Sequence, residues 1–149
     1  MKHTVIPAVF TILQREDGKI LLLKRKNTGW RDDWWCLPTG HGEKGESFLH
    51  GAMREAKEEV GVDIEPKDMQ FVHLHETPSE EDDGATERIN VYFLCKKWQG
   101  SPVNAEPHKA SEIGWFAVDD LPEKTIEHFA SAINHSFGGV YYSSHGFES

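Results

Sequence analysis

Residues 40–62 read GHGEKGESFLHGAMREAKEEVGV. Carboxylates fall at Glu46, Glu55, Glu58 and Glu59, close enough in sequence to repel one another. Ser47 suits the N-cap of a helix running to about Val60, and Gly61 suits its left-handed C-terminal cap. On a helix turning roughly 100° per residue, Glu55, Glu58 and Glu59 share one face. Leu49, Ala52, Met53, Ala56 and Val60 form an adjacent apolar stripe. Such a helix buries one side and offers three carboxylates beside it.

Like charges at this spacing cost about a few tenths of a kcal/mol each on an exposed helix. A divalent cation reverses the sign of that cost. Hard cations such as Mg²⁺ take one or two carboxylates together with substrate phosphates and water. Gly51 falls amid the carboxylates, where glycine costs about 1 kcal/mol relative to alanine. That cost makes sense where a ligand or a loop approaches the backbone. A glutamate-rich run by itself is more often a solvated helix face, so the residues around it decide.

The chain of 149 residues suits one domain, 1–149, with one core. A net charge of −9 argues against an extended nucleic-acid surface. It does not argue against a small phosphorylated ligand that arrives with a metal ion. Cys36 and Cys95 sit among apolar residues and read as reduced core thiols. The opening MKHTVIPAVFTIL is strand-like rather than a signal peptide, and no stretch reaches the length of a membrane span. The expected compartment is the cytoplasm.

Residues 5–13 and 19–26 read as strands joined by the turn at 15–18, together a hairpin. Residues 27–35 form a loop with three tryptophans, and 36–46 are turn-rich. Strands are expected at 69–78, 87–98 and 111–118, an acidic loop at 79–85, and a second helix over 121–136. The order of strands and helices implies a mixed sheet flanked by helices. The tail, 137–149, has no clear pattern.

The spacing of the opening stretch closes the argument. Gly40 is followed by five residues and Glu46, then seven residues and REAKEEVGV. This resembles the Nudix box, with Gly40, Glu46, Arg54, Glu55, Glu58, Glu59 and Gly61 matching and Ala56 and Val62 in its aliphatic positions. The hairpin GKILLLKRK, the lead-in WWCLPTGH and the later NAEPHKASEIGWFAVDDLP are similar to the MutT-like branch acting on nucleoside triphosphates. Thr39 departs from the second glycine common at that place.

The resemblance implies an α/β fold, an α/β/α sandwich with a mixed β-sheet between helices. It implies Mg²⁺ or Mn²⁺ held by Glu55, Glu58, Glu59 and the Gly40 carbonyl, with Arg54 and Glu46 supporting the carboxylates. Members hydrolyse a nucleoside diphosphate linked to another group. The expected substrate is a small nucleotide, an ordinary or oxidised nucleoside triphosphate cleaved to monophosphate and pyrophosphate. The alternatives are a nucleoside diphosphate sugar, a dinucleoside polyphosphate, a capped RNA end, or nucleotide binding without turnover. The resemblance leaves monomer and homodimer open.

The proton acceptor stays open among Glu55, Glu106 and Glu112. Arg25 occupies the place where relatives contact substrate phosphate; the plain alternative is a solvent-facing basic patch at the strand end. Trp30, Trp34 and Trp35 offer faces for a base, although core packing is expected for at least two of them. Glu80, Glu81, Asp82 and Asp83 read as a solvated loop. His73 and His75 share a strand face at zinc-binding spacing, but the sequence shows no third ligand. His41, next to Gly40, receives no role.

Overall fold

The computed structural model describes residues 3–79 and 85–147. The acidic loop expected at 79–85 therefore lies almost entirely outside the described residues, including Glu80, Glu81, Asp82 and Asp83.

Strand β1 (Val5–Leu13) carries the architecture. It pairs in parallel with β6 (Glu87–Cys95) along its whole length and antiparallel with β4 (Thr39–His41). Strand β5 (Met69–Pro78) extends this sheet beyond β6, and β8 (Tyr142–Ser144) closes its edge in parallel with β5. The order of this mixed five-stranded sheet is β4-β1-β6-β5-β8. A second, antiparallel sheet joins β3 (Trp35–Cys36), β2 (Ile20–Arg25) and β7 (Ala110–Phe116) in the order β3-β2-β7.

The expected hairpin of the first two strands is thus corrected. The turn holds one antiparallel bridge, Gln14 with Ile20, after which β1 and β2 part into different sheets. Ile12, Leu13, Ile20, Leu21 and Leu22 are all completely buried. Continuous rather than alternating burial means that both faces of these strands are covered.

Alternation along β1 places the helices. Val9 clusters with Ala52 of α1 (Phe48–Val60), and the Thr11 hydroxyl donates to the Ala52 carbonyl at 3.3 Å. Phe10, pointing the other way, stacks on Tyr92 and meets the edge of Phe129 in α2 (Glu127–Phe137). Successive strand residues face opposite sides, so α1 and α2 cover opposite faces of the larger sheet.

Helix α1 begins where Ser47 accepts a hydrogen bond from His50 N–H at 3.1 Å. It ends at Gly61, whose φ of 75° is left-handed and whose N–H bonds the Lys57 carbonyl. Helix α2 begins later than the apolar spacing suggests. Trp35 N–H donates to the Lys124 carbonyl at 2.7 Å and Ile126 N–H to the Trp35 carbonyl at 3.0 Å. Those bonds hold Thr125 in a parallel bridge with Trp35 and keep residues 124–126 out of the helix. The short β3 and β4, and β8 in the tail, were not expected. Cys36 and Cys95 are free and buried. No helix among the described residues is long and apolar enough to cross a membrane.

Candidate active site

Helix α1 and β4 meet at Gly40. A side-chain carbon on Gly40 would overlap the Glu55 carboxylate, so only glycine admits Glu55 at this place. Gly51 serves a similar end on the next turn. A carbon there would come within 2.9 Å of Glu46 Oε1 and 3.6 Å of the Val9 side chain. The approach that the glycine permits comes from inside the chain.

Arg54 organises the carboxylates. Its Nε and Nη2 donate to the two oxygens of Glu46 at 2.7 and 3.1 Å, a paired contact. Its Nη1 reaches Glu55 Oε1 at 2.8 Å and both Glu58 oxygens at 3.4 Å, and Nη2 also meets the His41 carbonyl at 3.3 Å. The pairing holds the Glu46 carboxyl below its usual range and pushes the Arg54 guanidinium up. Burial wins over the same guanidinium at Glu55, whose carboxyl is raised, with Glu58 and Glu106 adding repulsion.

Glu59 is the most perturbed of the set. Its Oε2 accepts the Thr39 N–H at 3.0 Å, yet burial raises its carboxyl well above the usual glutamate range. Repulsion from Glu55 and Glu106 adds to that shift, and Lys109 opposes it. Thr39 thus fills its place with a backbone donor to a box carboxylate.

Glu59 lines a cavity of about 470 Å³ together with Arg25, Thr28, Thr39, Glu106 and Lys109. Arg25 is held there by its own loop. Its Nε donates to the Trp30 carbonyl at 2.8 Å, its Nη2 to the Thr28 hydroxyl at 2.9 Å, and its guanidinium lies over the Trp30 ring. Lys24, one residue earlier, points away and lies 3.9 Å from Glu112. Trp30 is half exposed, whereas Trp34 and Trp35 pack against the main core. Burial, with the Glu59 charge next, pushes the Cys36 thiol in the cavity wall up to about 12.

The structure therefore gathers Gly40, Arg54, Glu55, Glu58 and Glu59 around one helix face, and brings Arg25 and Glu106 to the adjoining cavity. Glu112 stands apart, half exposed beside Lys24. Lys109 and Thr28 are cavity residues that sequence reading missed. Their own sequence surroundings give them no role, because the loop before β7 and the loop after β2 converge only in the fold.

The carboxylates fit a divalent cation. Glu46, Glu55 and Glu58 share the one Arg54 guanidinium, and Glu59 and Glu106 line the cavity with Arg25 and Lys109. A buried carboxyl held above its usual range is a donor that a cation would stabilise in its charged form.

The family model described as NUDIX domain matches residues 4–136. A MutT-like protein of Streptomyces ambofaciens is 26% identical over 138 residues, covering 93% of this chain and 79% of that one. An ADP-ribose pyrophosphatase of Methanocaldococcus jannaschii is 31% identical over 121 residues, covering 81% of this chain and 67% of that one. The crystal structure of a MutT NUDIX hydrolase from Burkholderia pseudomallei superposes with a TM-score of 0.76 at 25% identity, covering 89% of this chain and 98% of that one. The matched span holds every strand from β1 to β7, α1, all but the last residue of α2 and the whole carboxylate cluster, and ends before β8. On these grounds the chain belongs to the NUDIX family and is a hydrolase of diphosphate-linked substrates.

Proposed function

We propose that the protein hydrolyses a nucleoside triphosphate, ordinary or oxidised, to the monophosphate and pyrophosphate, with Mg²⁺ or Mn²⁺ as the cofactor. The observation that carries this reading is the cavity of about 470 Å³ with Arg25 and Lys109 on its wall and Glu59 of the box beside them. A volume of that size suits a small-molecule ligand. Cationic side chains next to carboxylates suit a polyphosphate that reaches a metal site.

Glu55, Glu58, Glu59 and the Gly40 carbonyl would hold the ion. When bound it would neutralise charge on the phosphate oxygens and acidify the attacking water. Arg54 keeps Glu46, Glu55 and Glu58 in position. Arg25 contacts a phosphate oxygen, giving up part of its contact with Thr28. Water adds to one phosphorus of the α–β anhydride, and the bridging P–O bond breaks. The products are the same whichever of the two phosphorus atoms is attacked.

The proton of the water passes to a carboxylate, Glu55 or Glu106. Glu106 lines the cavity and its charge is felt at both Glu55 and Glu59. Glu112 is set aside because it pairs outside the cavity with Lys24.

The second reading keeps the same site and changes the group beyond the diphosphate. It rests on the kinship to an ADP-ribose pyrophosphatase. The test is incubation with Mg²⁺ and a panel of nucleoside triphosphates, oxidised triphosphates, nucleoside diphosphate sugars and dinucleoside polyphosphates, with products separated by ion exchange. Monophosphate and pyrophosphate from one triphosphate support the first reading. Cleavage confined to the diphosphate-linked compounds moves the assignment to the second.

A further inference from the structure

A second cluster of ligating side chains lies on the other face of the larger sheet from α1. His75 of β5, His128 of α2 and His145, just after β8, each offer one ring nitrogen, and these three atoms lie within 4.8 Å of one another. The rings form a stack: His75 and His145 have centroids 4.8 Å apart, and so do His128 and His145. Three elements far apart in sequence thus bring three imidazoles to one point.

The hydrogen bonds behind the cluster fix which nitrogen of His75 is available. His73 is completely buried, and its Nδ1 lies 2.6 Å from the Val140 carbonyl. A carbonyl only accepts, so His73 Nδ1 carries the proton. In a neutral ring Nε2 is then an acceptor, and it takes the Ser143 hydroxyl proton at 2.7 Å. The Ser143 oxygen accepts in turn from His75 Nδ1 at 2.7 Å. His75 Nε2 is then unprotonated and accepts from His145 Nδ1–H at 2.7 Å, a proton that a metal ion at this point would displace. Metal-binding histidines are oriented in this way, through a bond made by the other ring nitrogen.

We propose that His75, His128 and His145 form a binding site for a divalent transition metal, zinc above all, which pins the C-terminal strand β8 and helix α2 to β5. Imidazole nitrogen is a favoured donor for zinc, and three histidines with a fourth position left to water is an established ligand set. Tetrahedral zinc with bonds of about 2.0–2.1 Å separates adjacent ligand nitrogens by about 3.3 Å. The nitrogens here, between 2.7 and 4.8 Å apart, reach that spacing by small side-chain movements. Hard Mg²⁺ prefers oxygen, so this site and the box carboxylates select different ions. The metal's role here is to fasten the tail.

The full chain, stripped with EDTA and dialysed, is titrated with zinc chloride by calorimetry in excess Mg²⁺, which fills the carboxylate site. The expected result is one saturable zinc per chain, a higher Tm, and slower amide exchange over residues 142–146. His128→Ala and His145→Ala, both surface changes, should weaken zinc binding on the order of a hundredfold or more. Ser143→Ala, which frees the His75 ring to turn, should weaken it by about tenfold or more. Glu58→Gln should leave it unchanged. Cobalt bound in place of zinc should show the visible absorption of a four-coordinate ion in the wild type and not in the histidine variants. The proposal is overturned if no saturable zinc equivalent appears. It is equally overturned if zinc binding survives both histidine substitutions, or disappears in Glu58→Gln while surviving in His128→Ala.

Discussion

At Gly40 a missing side chain determines where the Glu55 carboxylate lies. The backbone there needs no left-handed conformation, so alanine is acceptable to the chain itself and offends only its neighbour. Gly40→Ala should fold with near wild-type stability and lose about a hundredfold or more in kcat, the scale of losing one well-placed electrostatic group. Steady-state kinetics beside a urea unfolding curve separates the two effects; an active Gly40→Ala enzyme would show that Glu55 has no fixed place in catalysis. Glu59 gives a prediction about pH. Burial raises its folded-state carboxyl above the usual value of 4.5. As pH rises from that value through the raised one, the unfolded chain releases the proton while the folded chain keeps it. The unfolded state then binds fewer protons, so stability falls as pH rises across that window. Glu59→Gln keeps an acceptor for the Thr39 N–H and lacks the titration. In EDTA the variant should gain stability relative to the wild type between pH 5 and pH 8, read as the shift in urea midpoint. A wild type that gains on the variant over this range would mean Glu59 is held in its charged form by the protein alone.

The box helix was legible because every signal in it agrees: Ser47 caps it, Gly61 ends it, and Ala52, Ala56 and Val60 bury one side. Elements whose limits depend on distant partners were not. Residues 124–126 carry a helical pattern yet stay outside the helix, because the Lys124 carbonyl and the Ile126 N–H bond Trp35 in β3. The sequence GKILLLKRK reads well as a strand, but nothing in it says that it leaves β1 for a second sheet with β3 and β7. His73 and His75 were recognised as a zinc spacing, while His128 and His145 stand more than fifty residues away and meet them only through the fold. The contact between the larger sheet and α2 offers a further test. Phe10 stacks on Tyr92 at 4.4 Å and meets Phe129 at 5.0 Å. The Tyr92 hydroxyl is buried there without a hydrogen-bond partner among the described residues. Tyr92→Phe keeps the stacked ring and removes the unpaired group, so it should be neutral or stabilising by about 1 kcal/mol. A thermal unfolding curve displaced clearly downward would reveal a partner for that hydroxyl.

Taken whole, the molecule places opposite chemistry on the two sides of one sheet. On one side α1 carries carboxylates that burial and mutual repulsion make hungry for positive charge. On the other, imidazoles gather between α2 and the tail. The cavity beside the carboxylates joins residues from β2, β4, α1 and β7, so the proposed substrate site is a product of the assembled fold rather than of the box alone. The box itself speaks for a metal and a diphosphate; it carries no residue that would read a base or a sugar, which is why the sequence named a reaction class and left the rest of the substrate open. The central claim is that the box carboxylates hold the divalent cation that hydrolysis requires. The initial rate of pyrophosphate release from the preferred triphosphate, followed as Mg²⁺ is raised from zero, tests it directly in the wild type, Glu58→Gln and Glu59→Gln. The account predicts no rate without the ion, saturation in the wild type, and a rate lower by about a hundredfold or more in each variant at saturating Mg²⁺. A rate that persists in EDTA, or variants that match the wild type across the whole titration, would contradict it.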